Sequence, residues 1–316
     1  MIDTPRCALC GSARTEPVLH ASDAKLDRCA ECGLIRTAAG QAGIYDEVYY
    51  SAHHLSDGLK AARSGGAAGL RARLVDRVYN TYLDPRSSWF RRVEMLPVRN
   101  RLGGLPPRSM RPGDLLDVGS GDGDFMFRAR NHGWRVRGIE VNEPAVASAR
   151  ASGLDVHHGD LASAAFAPGS FDLVRLWHVL EHVPDPVGLL REIAPTLRPG
   201  GILIVGVPDF GSPVRRLFGS GWSGLQAGFH LSHFEGRTLR RVVDQAGFEV
   251  LSLRHRSVGT ACSTLGEVRP TIFRNPLGWG VLLMLDNILD LMGAGDSLEL
   301  LARPWHQSTA RPGPGN

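Results

Sequence analysis

Leu115-Leu116-Asp117-Val118-Gly119-Ser120-Gly121-Asp122-Gly123-Asp124 is the stretch whose reading decides the fold. A short apolar run ends in an acid and then breaks into a loop with glycine at every second position. Phe125-Met126-Phe127-Arg128-Ala129-Arg130 follows and can start a helix. Strand, glycine loop and helix in this order are how a doubly wound α/β sheet brings bare backbone up to a ligand. The spacing is G-x-G-x-G, whereas a dinucleotide fingerprint reads G-x-G-x-x-G. With acids at Asp117, Asp122 and Asp124, the loop favours a nucleoside-like cofactor with a cationic amino end over one carrying a pyrophosphate.

From residue 113 onward the chain alternates strands and helices. Strands are expected at Asp114–Val118, Arg135–Glu140, Leu154–His157, Phe171–Leu176 and Gly201–Val207. Helical runs fall between them at Asp124–His132, Glu143–Ser152 and Pro186–Leu197. That alternation predicts a mostly parallel sheet covered on both faces, with its ligand at the carboxyl ends of the strands. Two acids stand at such ends. Glu140, twenty-three residues after Asp117, is placed to accept hydrogen bonds from vicinal ribose hydroxyls. Asp160, in His158-Gly159-Asp160-Leu161, is placed to accept from an exocyclic amine such as that of adenine.

The stretches LLDVGSGDGDF (115–125), VRGIEVN (136–142), HHGDLA (157–162), FDLVRLWHVLEHVPDP (171–186) and LRPGGILIVGVPD (197–209) together resemble a class I S-adenosylmethionine-dependent methyltransferase. The amino-terminal cysteines, tyrosines and later histidines resemble a bacterial subgroup with a zinc-binding module. The resemblance implies a Rossmann-like, seven-stranded, mostly parallel sheet whose last strand is antiparallel. Phe248–Arg254 and Ser297–Ala302 are the candidates for its last two strands. It also implies that Asp117, Gly119 and Gly121 line the amino-acid end of S-adenosyl-L-methionine. Glu140 would hold the ribose, Asp160 with Leu161 would contact the adenine, and Val141 would also line the cofactor site. Trp177 and His178, just after the fourth strand, would flank the cofactor on the substrate side.

A sulfonium methyl group is already activated, so the enzyme chiefly positions the nucleophile and excludes water. An oxygen or nitrogen nucleophile can also need a base, and histidine suits that task near neutral pH. The candidates, in order, are His182, His230 and His178. Glu181 stands beside His182 and can orient it. His178 and His182 lie four apart, on one face if the segment is helical. His230 and His233 sit before an expected helix at Arg237–Ala246. His-x3-His and His-x2-His spacings suggest a metal only weakly, because no third ligand is obvious.

Cys7-x2-Cys10 and Cys29-x2-Cys32, eighteen residues apart, match a zinc ribbon over residues 1–40. Four thiolates close a tetrahedral shell, so this Zn²⁺ would be structural. Disulfides are disfavoured in a chain with no visible export signal. Residues 1–40 contain no Phe, Tyr or Trp on which bases could stack, which argues against nucleic acid as a partner.

Residues 41–112 read as a helical arm or lid and a linker, with helices at Leu70–Leu83 and Arg86–Arg101. The tyrosines at 45, 49 and 50 either cover a ligand or anchor the arm. Residues 60–112 carry twelve basic side chains against three acids, in a chain whose formal charge is only +4. Residues 113–303 form the methyltransferase domain, with a substrate-facing loop insertion at 211–234 and an amphipathic segment at 277–292. That segment packs on the domain, dimerises or touches a membrane surface. Residues 304–316 read as a disordered tail, and the location as cytoplasmic.

The function expected is methyl transfer to a small-molecule acceptor: a sugar, lipid-linked or secondary-metabolite precursor. Trp177-His178 stands where enzymes that methylate a base or amide nitrogen carry an Asn-Pro-Pro-Tyr-like element, which favours oxygen. The alternatives are an RNA or protein methyltransferase that uses the zinc module for recognition, and a non-catalytic module that kept the cofactor fold.

Overall fold

A computed structural model of the chain describes residues 6–21, 24–38, 77, 79, 81–82, 103–257, 264–265 and 276–305. Most of the expected arm, with its tyrosines at 45, 49 and 50, lies outside these residues, as do 306–316.

Two sheets organise the described chain. The first elements are β1 (Thr15–His20), β2 (Lys25–Cys29) and β3 (Ile35–Thr37). The larger sheet is built from β4 (Asp114–Val118), β5 (Arg135–Glu140), β6 (Asp155–His158), β7 (Phe171–Trp177) and β8 (Leu197–Pro208). After the two-residue β9 (Ser232–His233) come β10 (Phe248–Arg256) and β11 (Ser297–Pro304). The large sheet has seven strands in the order β10-β11-β8-β7-β4-β5-β6. β4 pairs in parallel with β5 and β7, β5 with β6, and β7 with β8. β11 runs antiparallel to both neighbours. This is the doubly wound sheet that the alternation predicts; β4 and β5 have the expected limits, and the other strands differ from theirs by at most four residues. Trp177, expected just beyond the fourth strand of the domain, is its last residue.

The helices are α1 (Asp124–Asn131), α2 (Glu143–Ala151), α3 (Leu161–Ala164), α4 (Pro186–Ile193), α5 (Pro213–Phe218), α6 (Gly236–Gln245) and α7 (Pro276–Leu291). Their starts are written locally. Asn142 caps α2 by accepting from the Ala145 N–H, and Pro144 follows near its start. Asp160 and Ser163 form a capping box on α3. β4, β7 and β8 supply Leu116, Val118, Val174, Leu176, Leu203 and Val205 to a core closed by α4 and α6.

Three features add to or depart from the sequence expectation. Residues 211–228 are not loop throughout, because Ser212 caps α5 with proline next to it. The cysteine module shares a sheet with the rest of the chain, in the order β1-β2-β3-β9, and β9 comes from the insertion before α6. Cys7, Leu9, Cys29, Cys32 and Leu34 share a core with Leu239, Val242 and Val243 of α6. Finally, α7 is amphipathic in the inverse sense. Asp286, Asn287 and Asp290 are buried, while Val281, Met284, Ile288 and Leu291 are exposed. Ser257 Oγ donates to Asp286 at 3.0 Å, and Arg256 pairs with Asp290 at 3.4 Å. Among the described residues, no helix is long and apolar enough to cross a membrane.

Candidate functional site

The glycine loop turns at the carboxyl end of β4. Gly119, Gly121 and Gly123 have φ of 69°, 55° and 84°, a region in which only glycine is unstrained. The loop spends most of its N–H groups on its own fold. Gly119 and Ser120 both donate to Ile139 O, and Gly123 donates to Ser120 O. Asp124 donates to Asp122 at 3.3 Å. Gly121 N–H donates to Glu140 Oε2 at 2.8 Å. Beside Gly121 nothing stands within 4 Å of where a Cβ would be, so its bare backbone faces open space.

A cavity of about 430 Å³ opens at the ends of β4, β5 and β6. Gly119, Glu140, Val141, Asp160, Leu161 and His182 are among its lining residues, joined by Val179 and Leu189. The buried Glu140 carboxylate also accepts from Val141 N–H at 2.8 Å and Asn142 N–H at 2.9 Å. With three of about four lone-pair sites used, one remains for a ligand hydroxyl. Val141 is 55% exposed, an apolar side chain presented to the cavity. Asp160 accepts from Ser163 N–H at 2.8 Å through Oδ1. The hydrogen bonds from Ser163 hold its carboxyl below the ordinary range, so it stands charged at the rim.

Asp117, Trp177 and His178 do not line this cavity. Asp117 is buried and takes a 2.7 Å ion pair from Arg175 on β7. Burial pushes its carboxyl up, and Arg175 opposes that. Arg175 also donates to Gly104 O at 3.0 Å and lies 3.9 Å over the Phe125 ring. The Trp177 ring lies against Gly103, Gly104 and Gly206, where any Cβ would come within 2.5 Å of it. His178 has φ of 57°, unusual for a residue with a side chain, and its Nδ1 pairs with Glu181 at 3.1 Å.

Beyond β7 the chain makes a short 3₁₀ turn, Leu180–His182, rather than an α-helix carrying His178 and His182 on one face. The expected orientation of His182 by Glu181 is replaced by another bond. His182 Nδ1 meets Phe229 O at 3.3 Å, and since a carbonyl only accepts, Nδ1 carries the hydrogen. Nε2 is then the basic atom. Burial pushes this imidazole below its ordinary 6.5, with Glu181 and the Phe229 carbonyl opposing. The His182 and His230 rings meet edge to face at 4.7 Å, and His230 and His233 at 6.0 Å. Burial lowers His230 strongly and brings His233 to about 3, so both rings are neutral at physiological pH. The third donor absent from the sequence pattern is present in space: the ligand atoms of Glu181, His182 and His230 lie within 4.8 Å of one another.

The four amino-terminal cysteines converge. Cys7 and Cys32 sulfurs lie 3.5 Å apart, as do those of Cys10 and Cys29, and all four lie within 4.8 Å. A tetrahedral zinc with bonds of about 2.3 Å needs sulfurs roughly 3.8 Å apart, so the donor set fits the ion. Burial raises Cys29, but backbone N–H groups of Cys32 and Glu31 outweigh it and bring the thiol down to about 7.

Sequence reasoning missed Arg175, Val179 and Thr37. A lone arginine inside the apolar strand Phe171–Trp177 was a usable signal, because a buried guanidinium requires a partner.

The chain is similar to several known proteins. A probable S-adenosylmethionine-dependent methyltransferase of Mycolicibacterium smegmatis is 31% identical over 166 residues, covering 51% of this chain and 60% of that protein. A ubiquinone biosynthesis O-methyltransferase of Stutzerimonas stutzeri is 36% identical over 94 residues, covering 28% of this chain and 40% of that protein. The chain thus spans about half the length of these curated relatives. Among solved structures, an S-adenosylmethionine-dependent methyltransferase from Mesorhizobium loti aligns with a TM-score of 0.44 at 23% identity, covering 63% of this chain and 93% of that one. A family model described as a methyltransferase domain matches residues 89–253. That match begins ahead of β4 and ends within β10, taking in every strand end that rims the cavity, and the chain belongs to the methyltransferase-domain family.

Proposed function

We propose that this protein moves a methyl group from S-adenosyl-L-methionine to an oxygen of a small-molecule acceptor, such as a sugar, lipid-linked or secondary-metabolite precursor. The observation that carries the reading is the cavity in which Glu140, Val141 and Asp160 meet at successive strand ends. Their chemistry fits an adenosine: a carboxylate with one lone pair left for a ribose hydroxyl, an exposed apolar side chain for a ring face, and a charged carboxylate for an exocyclic amine. When bound, the cofactor supplies a methyl group already activated on a sulfonium sulfur. Leu161, Val179 and Leu189 exclude water from that side of the cavity. His182, which lines the cavity, is the base assigned to the acceptor's hydroxyl proton; its lowered pKa keeps it neutral at pH 7, and its Nε2 is buried in this structure, so the acceptor has to open a path to it. The choice of oxygen is supported by the matched stretch of the ubiquinone-pathway O-methyltransferase and by Trp177-His178 in place of an amine-gripping element. The cysteine module, carrying Zn²⁺ on Cys7, Cys10, Cys29 and Cys32, is structural.

Calorimetric titration of the 316-residue protein with S-adenosylmethionine, then with NAD, tests the reading. Saturable binding of the first and none of the second is expected. Tight NAD binding without S-adenosylmethionine binding overturns it.

A further inference from the structure

The histidine-bearing segment Ala227–His233 is gripped from two sides. On one side Leu231 N–H donates to Glu181 O at 2.8 Å, tying the segment to the turn that carries His182. On the other side stands the cysteine module, through Ile35, Arg36 and, with most side-chain contacts, Thr37. Its N–H donates to Leu231 O at 3.2 Å. Its hydroxyl hydrogen points between His230 O at 2.6 Å and Ala227 O at 3.2 Å. The same oxygen lies 3.1 Å from His233 Nε2. A hydroxyl has one hydrogen, and here carbonyls that can only accept take it. The third contact therefore runs the other way: His233 Nε2–H donates to Thr37 Oγ1. One side chain thus fixes the tautomer of His233 and the backbone position of His230, whose ring leans on His182.

We infer that Thr37 is a positioning residue for the acceptor-side histidines, so that the cysteine module completes the site rather than merely flanking it. The inference deepens the proposed methyl transfer and rests on it only for the meaning of His182. The geometry that delivers Thr37 is independent of that reading. β3 pairs with β9 through Ile35 opposite His233 and Arg36 opposite Ser232. Arg28 of β2 grips Glu235, just after β9, with two bonds of 2.8 and 3.1 Å. Arg241 of α6 reaches back to Cys32 O at 3.1 Å. The module is therefore held in register, and the Thr37 hydroxyl arrives at a defined place.

The test uses the 316-residue protein labelled with ¹⁵N-histidine and three variants. Thr37→Val keeps the shape and the strand pairing and removes the hydroxyl; Thr37→Ser keeps the hydroxyl; Arg28→Gln loosens docking and leaves Thr37 intact. The wild type is expected to show His233 as one Nε2–H tautomer. Thr37→Val loses that pattern and shifts the His230 and His182 ring signals, and Thr37→Ser restores all three. S-adenosylmethionine affinity stays within about twofold of the wild type in Thr37→Val, because the cofactor cavity does not include Thr37. Unchanged histidine spectra in Thr37→Val overturn the inference, and so does the same change in Arg28→Gln, which would assign the effect to docking as a whole. Should Thr37→Val not fold, a Thr37→Ser protein lacking the His233 Nε2–H tautomer overturns it equally. A wild type that binds no S-adenosylmethionine sinks the proposed function and leaves the spectroscopic result standing.

Discussion

Replacing Arg175 by methionine strands a carboxylate. Arg175 and Asp117 side chains are 9% and 1% exposed and meet at 2.7 Å through Asp117 Oδ1, and among the described residues Asp117 Oδ2 has no hydrogen-bond partner. Removing one member of a buried pair costs about 3–5 kcal/mol, whereas the intact pair is worth far less. The ceiling on the penalty can be worked out. A stranded Asp117 escapes by taking a proton, and from an ordinary pKa of 3.8 that costs about 4 kcal/mol at pH 7 but only about 2 kcal/mol at pH 5. The lost charged bond to Gly104 O adds about 1 kcal/mol, while methionine keeps much of the packing on Phe125. The variant is therefore expected to lose about 4–5 kcal/mol at pH 7 and about 2–3 kcal/mol at pH 5. Its stranded carboxyl has a folded-state pKa above the unfolded value, so the penalty grows as pH rises. Urea unfolding at the two pH values measures this, and Arg175→Met/Asp117→Asn should recover part of the loss at pH 7. A loss below about 1 kcal/mol at pH 7, or an equal loss at both pH values, refutes the assignment of a buried, mutually dependent pair.

The remaining expectations concern the site and the module. His182→Ala should lower turnover by about 10²–10⁴ and leave cofactor affinity within a few-fold; unchanged turnover removes His182 from the mechanism. In the wild type, turnover requires the neutral imidazole, whose pKa burial lowers, so the acid limb of the kcat profile should lie below 6.5; a limb above that value contradicts the placement. Gly119→Ala forces a side chain into a left-handed backbone and brings its Cβ to 2.4 Å from Val179 Cγ2, so cofactor affinity measured by calorimetry should fall about tenfold or more. Cys10→Ser should empty the metal site on elemental analysis and lower the melting temperature; a metal-free protein that melts like the wild type shows that the cysteines hold no structural ion.

What the sequence made legible was local. Glu140 ends a strand and Asp160 follows one by two residues, and in both cases the apolar run and the turn after it lie within a few residues. Asp160 even carries its own helix start in Ser163. α5 was equally legible in principle, with Ser212 and Pro213 forming a cap and a first turn, but the glycines around it favoured a loop. The contacts that stayed hidden join distant residues. Arg175 reaches Asp117 across 58 positions, and Thr37 reaches His233 across 196. The orientation of α7 was hidden for the same reason. Its period was readable, but its buried face is decided by Arg256 and Ser257, which pair with the acids that a lone amphipathic helix would turn to solvent.

The preference for a phosphate-free cofactor survives, but for a different cause. Counting acids in the glycine loop is not sufficient, because Asp117 is neutralised by Arg175, and Asp124 is paired with Arg128 at 2.8 Å. The stronger ground is where the N–H groups go. A pyrophosphate site needs loop and helix-start amides aimed at the anion. Here Gly119 and Ser120 give theirs to Ile139 O, and Gly123 and Asp124 give theirs within the loop. The Gly121 N–H goes to the same strand as Ile139, taken at 2.8 Å by the Glu140 carboxylate. An incoming phosphate would have to displace a buried carboxylate from that amide and then sit beside its charge. A ribose hydroxyl meets no such conflict, because it donates to the carboxylate that the loop holds in place. The glycine loop and Glu140 thus act as one unit, and the acid at the end of β5 decides what the glycines can accept.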